Sequence, residues 1–405
     1  MNPRLPEPAR AVLNALRLRE TPQLDAAGWV AALAFADRAR VTLPLRAALN
    51  GSAWDAVPPQ ARDRLDRNLA DNLERRRRIE AAFAAIVARF ETAGVEFLVL
   101  KGLSHGASFA PDPGLRVQYD LDFYCPSPGV ARARDVLLDL GYEPLRGQDD
   151  FPVDHLPTMI RKTGWRWRGN YFDPDLPPSV DLHFRFWDAA TERLAAPGVE
   201  KFWDRRVEQC LAGQRVFVLE LPDQLGYAAL HLLRHLLRGS LFLLHVYEIA
   251  CFLRIHREDA AFWSRWRELH APELRRLESI AFRLAQRYFG APFPEAASSH
   301  PVVEAWLEKY AWSPVASDFR PNKHELYLHM SLLANRADRW RVLRRRLLPM
   351  RMPGPVDAVH VPVEALSVRE RLLKAARHAA YVLRRSLHHA RLLLPTLWGL
   401  WRWRR

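Results

Sequence analysis

The stretch that most limits what this chain can fold into is Tyr119-Asp120-Leu121-Asp122-Phe123-Tyr124. Strand side chains alternate between faces, so Asp120 and Asp122 share one face while Tyr119, Leu121 and Phe123 share the other. Two carboxylates on one strand face repel each other and make poor core. Water relieves them on a polar outer face, and so does a divalent cation, which favours carboxylate oxygens. Upstream, Phe97-Leu98-Val99-Leu100 reads as a buried strand, and Lys101-Gly102 as a tight turn into a short helix. A chain holding such strands must build a sheet, however helical the remainder.

The remainder is strongly helical. Leu65, Leu69 and Leu73, then Ile79, Phe83, Ile86 and Phe90, recur at helical spacing up to a stop at Gly94. The run Arg75-Arg76-Arg77-Arg78 lies in this helix, as a solvated face or as a contact to an anionic substrate. Pro111-Asp112-Pro113-Gly114 has turn chemistry and delivers Arg116 just ahead of the acidic strand. Arg116 is placed either to clamp a phosphate or to pair with Asp120 or Asp122. Ser127 and Pro128 predict the cap and first turn of a helix whose apolar face is Val130, Ala133, Leu137 and Leu140. Residues 158–172 read as a loose hairpin.

Ser179-Val180-Asp181-Leu182-His183-Phe184-Arg185 predicts a further strand, with Asp181, His183 and Arg185 on its polar face. Residues 215–219 give a last strand, and helices follow from Pro222 to about Arg346. Within them His231 and His235 stand four apart on one helical face. No Glu lies between them, so a metalloprotease signature is absent, and a structural or substrate-lining role fits better than zinc. Gly102 and Gly106 form neither a Walker loop nor a dinucleotide fingerprint. The free N–H groups opening the short helix after Gly102 offer a place for a triphosphate.

Composition removes several function classes. The three cysteines, Cys125, Cys210 and Cys251, are far apart, which argues against a disulfide framework or a thiolate zinc site and fits a reducing cytoplasm. Residues 1–8 lack an apolar signal core, and no window is apolar enough to span a membrane. The net charge is +14, but from Arg339 to Arg405 Lys and Arg outnumber Asp and Glu by 16 to 3. The body is therefore nearly neutral, and a nucleic-acid partner is not expected. The basic tail ends Trp398-Gly399-Leu400-Trp401-Arg402-Trp403, which suits an anionic membrane surface and equally suits packing on the body or on a partner protein. Four regions follow: a helical 1–94, an α/β core 95–220, a helical 221–348, and a basic amphipathic tail 349–405.

Taken in order, Leu100-Lys101-Gly102, Pro111-Asp112-Pro113-Gly114-Leu115-Arg116, Asp120-Leu121-Asp122 and Val180-Asp181-Leu182-His183 resemble the uncharacterised bacterial nucleotidyltransferase family, a branch of the polymerase-beta-like superfamily. The resemblance covers about 98–185. It extends more weakly through His231, His235 and Tyr247-Glu248-Ile249, where the family more often has Asp than Glu248. It implies an α+β fold, with a small mixed sheet flanked by large N- and C-terminal helical regions. It also implies a Mg²⁺-dependent enzyme that moves a nucleoside monophosphate from an NTP to a hydroxyl of a small molecule, sugar or protein. Asp120, Asp122 and Asp181 would hold two Mg²⁺ ions, with Asp181 helping the acceptor hydroxyl lose its proton. Gly102 would hold the outer phosphates, and His183 and Arg185 would line the acceptor side. The wider superfamily has Gly-Ser in the phosphate turn. Here it is Lys101-Gly102-Leu103, leaving Lys101 or Ser104 to supply that contact. The rival expectation is a catalytically silent module that binds a nucleotide or a partner, at a membrane surface through its tail.

Overall fold

The computed structural model describes residues 5–110, 112–145, 154–348, 360–362 and 366–405. Pro111 of the turn motif and much of 349–365 lie outside them. A seven-stranded mixed sheet runs in the order β3-β4-β5-β2-β1-β7-β6. Its strands are β1 (Leu98–Val99), β2 (Asp120–Tyr124), β3 (Glu143–Pro144), β4 (Met159–Ile160), β5 (Ser179–His183), β6 (Val207–Leu211) and β7 (Gln214–Val218). β2 and β5 are parallel, as are β1 and β7, and the other pairings are antiparallel. Long helical regions on either side in sequence complete the expected α+β architecture.

Period-two alternation decides how the sheet is covered. Leu121 and Phe123 of β2, with Val180 and Leu182 of β5, pack against Ile79, Phe83, Val87 and Phe90 of the helix Pro59–Thr92 and against the helix Val130–Asp139. Phe123 sits among Phe83, Phe90 and Phe97, with ring centroids 6.0, 5.3 and 5.7 Å away. The opposite face carries the carboxylates and lies under the helix Leu221–Arg238. The N-terminal helices and the helices after β7 share one apolar core, distinct from the cluster under Leu121 and Phe123.

Several local expectations differ from the structure. The apolar run at 95–100 yields only two ladder residues, because Gly94 and Gly102 both turn at positive φ. Ser127 does not cap: the helix begins at Val130 after a turn, with Gly129 at its cap and no side-chain bond. Of the hairpin at 158–172, only Met159–Ile160 is strand. The last strand is the second arm of a hairpin whose first arm, β6, is mostly exposed and lacks apolar alternation. Arg75 is neither solvated nor aimed at a ligand. It is 1% exposed and donates to the carbonyls of Gln118 and Asp173, both at 2.8 Å, tying the long helix to the loops beside β2 and β5. Arg76, Arg77 and Arg78 pair with Glu80, Glu74 and Asp175.

The tail forms one helix, Val368–Arg404, opened by a Ser367–Glu370 capping box. Its C-terminal half is seated on the body, starting where Lys323 Nζ donates to His389 Nδ1 at 3.0 Å. Leu400 is buried, Trp403 Nε1 donates to Ser331 Oγ at 2.8 Å, and Gly399 leaves room for the Tyr327 hydroxyl.

Candidate active site

Parallel pairing of β2 with β5 sets Asp122 directly opposite Asp181 and Tyr124 opposite His183. Asp120, two residues before Asp122, is on the same face. Oxygen or nitrogen atoms of Asp122, Asp181 and His183 all lie within 4.8 Å of one another, and Asp120 lines the same cavity. Thr158 Oγ1 steadies Asp181 by donating to its Oδ1 at 2.7 Å.

The two β2 carboxylates have opposite fates. β1 delivers Lys101, whose Nζ is 2.7 Å from Asp122 Oδ1, and β5 delivers His183, whose Nε2 is 3.1 Å from the same oxygen. Burial works against the Asp122 charge, but Lys101 and His183 outweigh it and hold its carboxyl well below the usual range. The Asp120 carboxylate makes no hydrogen bond or ion pair among the described residues. Burial, then the charge of Asp122, push its carboxyl up despite Lys101. A partly buried, unpartnered carboxylate beside a second and third one is a seat for a cation, and hard oxygen donors suit Mg²⁺. The donor set therefore fits the implied metal.

Behind Asp122 the charges alternate inward. His183 Nδ1 is 3.4 Å from Asp154 Oδ2, and Asp154 pairs with Arg234 of the helix Leu221–Arg238. Burial disfavours the charged imidazole, yet its hydrogen bonds to Asp122 and Asp154, which accept them, raise His183 above its ordinary value. This row of groups is buried, with His183 and Asp154 each 1% exposed.

A cavity of about 270 Å³ opens over the carboxylates. Its wall brings in Arg40, Lys101, Arg116, Arg234 and Arg238, so a small acidic floor is ringed by cations. Such a site can hold a polyanion over a bound cation. Arg40 is held in the left-handed region at φ 62, and its guanidinium lies 3.9 Å over the Phe242 ring. Arg116 lines the cavity but does not pair with Asp120 or Asp122: its Nε donates to Glu248 Oε1 at 2.5 Å. Burial disfavours the Glu248 charge, but Arg116 and His105 hold the carboxyl down at about 2.

His231 and His235 face the same cavity, joined by His245 from the next helix, with ring centroids 4.6 to 5.3 Å apart. Burial, then surrounding cations, keep all three well below the ordinary histidine range. A metal fits this trio poorly. Arg234 donates to His231 Nδ1 at 3.0 Å, occupying one lone pair and placing a positive charge beside the rings.

Other expected residues scatter. Gly102 lines a neighbouring cavity of only about 60 Å³, and opens a single 3-10 turn, Gly102–His105, rather than a helix with a sustained dipole. Ser104 is buried, with Oγ against the Lys101 carbonyl at 3.3 Å. His183 supports Asp122 from below and does not line the cavity wall. Arg185 is exposed over the Phe184 ring and does not reach the cavity.

Asp154, Arg40, Arg234 and His245 belong to the site without having been singled out in the sequence. Asp154 is brought in by the neighbouring backbone bridge His155–His183, which no local pattern announces. His245 sits one helix turn's reach from His231 and His235 across a short connection, and a count of histidines in 231–245 would have found it.

No curated protein and no solved structure matches the chain. A family model described as "Uncharacterised nucleotidyltransferase" matches residues 25–290, which takes in the whole sheet, the carboxylates and the cationic helices above them. With more than half of its length matched, the chain belongs to this uncharacterised nucleotidyltransferase family.

Proposed function

We propose that the cavity over β2 and β5 transfers a nucleoside monophosphate from an NTP to a hydroxyl of a small molecule, sugar or protein, in a polymerase-beta-like manner and with Mg²⁺. One observation carries the reading: Asp122 and Asp181 stand in register on parallel strands, with Asp120 on the same face, at the floor of a cation-ringed cavity. Asp120, Asp122 and Asp181 would hold the ions. When bound, these neutralise triphosphate charge and stabilise the attacking and leaving oxygens. The acceptor oxygen forms a bond to the α-phosphorus, the bond to the β-phosphate oxygen breaks, and pyrophosphate leaves. Asp181 is the group nearest in kind to take the acceptor proton. Arg40 and Arg238 face the cavity where they can hold outer phosphates. Lys101 is better placed than Ser104 for the contact that a serine makes in the wider superfamily, since Ser104 is buried against the backbone.

The test uses the full chain with each α-labelled NTP, Mg²⁺ and a panel of hydroxyl acceptors. Mg²⁺-dependent pyrophosphate release, lost in Asp120→Asn and Asp181→Asn while their melting curves hold, is the expected result. NTP binding that ignores both Mg²⁺ and these substitutions would overturn the reading.

One observation favours a second reading, a silent nucleotide-binding module. The Lys101 ammonium is already in contact with Asp122, whose carboxyl is held well below the usual range. Under that reading calorimetry detects NTP binding without Mg²⁺, no acceptor yields pyrophosphate, and Lys101→Met weakens binding.

A further inference from the structure

The helix Val368–Arg404 has two apolar faces, and the body covers only one. Thr396 and Leu400 are the buried residues on the seated side. Leu372, Leu383, Leu387, Leu394, Trp398 and Trp401 are all exposed, Leu394 at 74% and Leu372 at 66%. At 3.6 residues per turn these six fall within about 80° of arc, on the side turned away from the seat. The face thus runs nearly the whole helix and ends in the stacked pair Trp398–Trp401, with centroids 4.9 Å apart. Arg377, Arg384 and Arg391 follow one another at heptad spacing along one border. The single acid of the helix is Glu370, at the cap, and it is engaged by Ser367 and Arg166.

We infer that this outward face docks on an anionic phospholipid bilayer, lying in the plane of its surface. An apolar stripe edged by arginine, with tryptophan at one end, matches the boundary between acyl chains and anionic headgroups. Arginine stems lie along apolar surface while their guanidinium ends reach the phosphates. The charge pattern selects among occupants. A second copy of the same face would set arginine rows against each other, whereas anionic lipid neutralises them. No helix among the described residues is long and apolar enough to cross a membrane, so the contact is peripheral. The inference rests on the tail alone and stands or falls independently of the transferase reading.

The test is co-sedimentation of the full chain with vesicles of phosphatidylcholine alone or of equimolar phosphatidylcholine and phosphatidylserine. Binding to the mixed vesicles, weakened by added salt, is expected. The double substitution Leu383→Glu/Leu394→Glu should lower it by about tenfold or more, with an unchanged melting curve because both side chains are exposed. Arg384→Glu/Arg391→Glu should remove the preference for phosphatidylserine while keeping the apolar stripe. Equal partition into both vesicle types, no vesicle binding, or full binding by the leucine variant would each overturn the inference. So would a wild-type dimer that the leucine variant makes monomeric in the absence of vesicle binding, since the face would then belong to a second copy.

Discussion

Consider alanine at position 102. Gly102 is held at φ +60 where β1 turns toward the site, and a Cβ in that region costs roughly 1–2 kcal/mol. The added carbon would meet Gln118 Nε2 at 2.5 Å and Gln118 Cδ at 2.9 Å. Gln118 cannot simply move aside, because its Nε2 donates to the Asp120 carbonyl at 2.7 Å. Giving up that bond costs about 1 kcal/mol more. The narrower unfolded ensemble of alanine returns at most about 1 kcal/mol. The balance is a loss of about 2 kcal/mol, read in urea denaturation as a lower midpoint with an unchanged slope. In a Gln118→Ala background the contact is gone, and Gly102→Ala should cost only the backbone part, about 1 kcal/mol. The reasoning fails if the substitution costs under about 0.5 kcal/mol, or costs the same with and without Gln118.

Three other outcomes follow from buried charge. Asp154→Asn leaves Arg234 and His183 facing each other without their shared carboxylate, and urea denaturation should show a loss of about 3–5 kcal/mol, strongly non-additive with His183→Gln. Arg75→Lys should cost about 2 kcal/mol by the same assay, because one ammonium cannot reproduce a fork donating to two separate carbonyls; a neutral result would remove its role as a clasp. His270 lies 2.7 Å from Glu278 and 3.0 Å from Asp223; burial opposes its charge, but these carboxylates raise it from 6.5 to about 9. A folded value above the ordinary one stabilises fully below about pH 6.5 and is lost as pH rises through 9, an effect of about 3 kcal/mol. Melting at about pH 6 and about pH 10 checks the sign: His270→Gln should be the more damaging at the lower pH.

What could be read from the chain was what periodicity encodes. The alternation in β2 and β5 gave both the apolar face under Phe83 and Phe90 and the acidic face above it, and the motif order brought Asp181 to Asp122. What escaped depended on contacts between distant segments. Arg75 looked like part of a solvated charge run, because nothing local reveals that its stem enters a crevice lined by carbonyls 43 and 98 residues away. Arg116 had two reasonable partners nearby in sequence and took a third, Glu248, 132 residues on. His183 carried the right polarity for a site wall, but Asp154 and Arg234 drew it into a buried row beneath. The tail's two faces were legible as an amphipathic helix, whereas which face is covered required the Tyr327 and Ser331 contacts.

The Asp-x-Asp motif is symmetric as written and asymmetric as folded, and this decides which substitution is informative. Asp122 holds the Lys101 ammonium and the His183 imidazole by one oxygen, so Asp122→Asn leaves a nearly buried ammonium without its carboxylate and takes the imidazole's partner from it. Removing one partner from a buried set costs about 3–5 kcal/mol. Asp120 has no such obligations: its nearest charged neighbour on the strand is a like charge, and its removal relieves repulsion. Asp120→Asn should therefore leave stability unchanged to within about 0.5 kcal/mol, or raise it. Urea denaturation of the two variants side by side decides the matter, and equal losses would refute the assignment of separate roles. The consequence for enzymology is direct. A dead Asp122→Asn protein says little, because unfolding explains it. A dead Asp120→Asn protein with native stability says that the free carboxylate on β2 takes part in the chemistry.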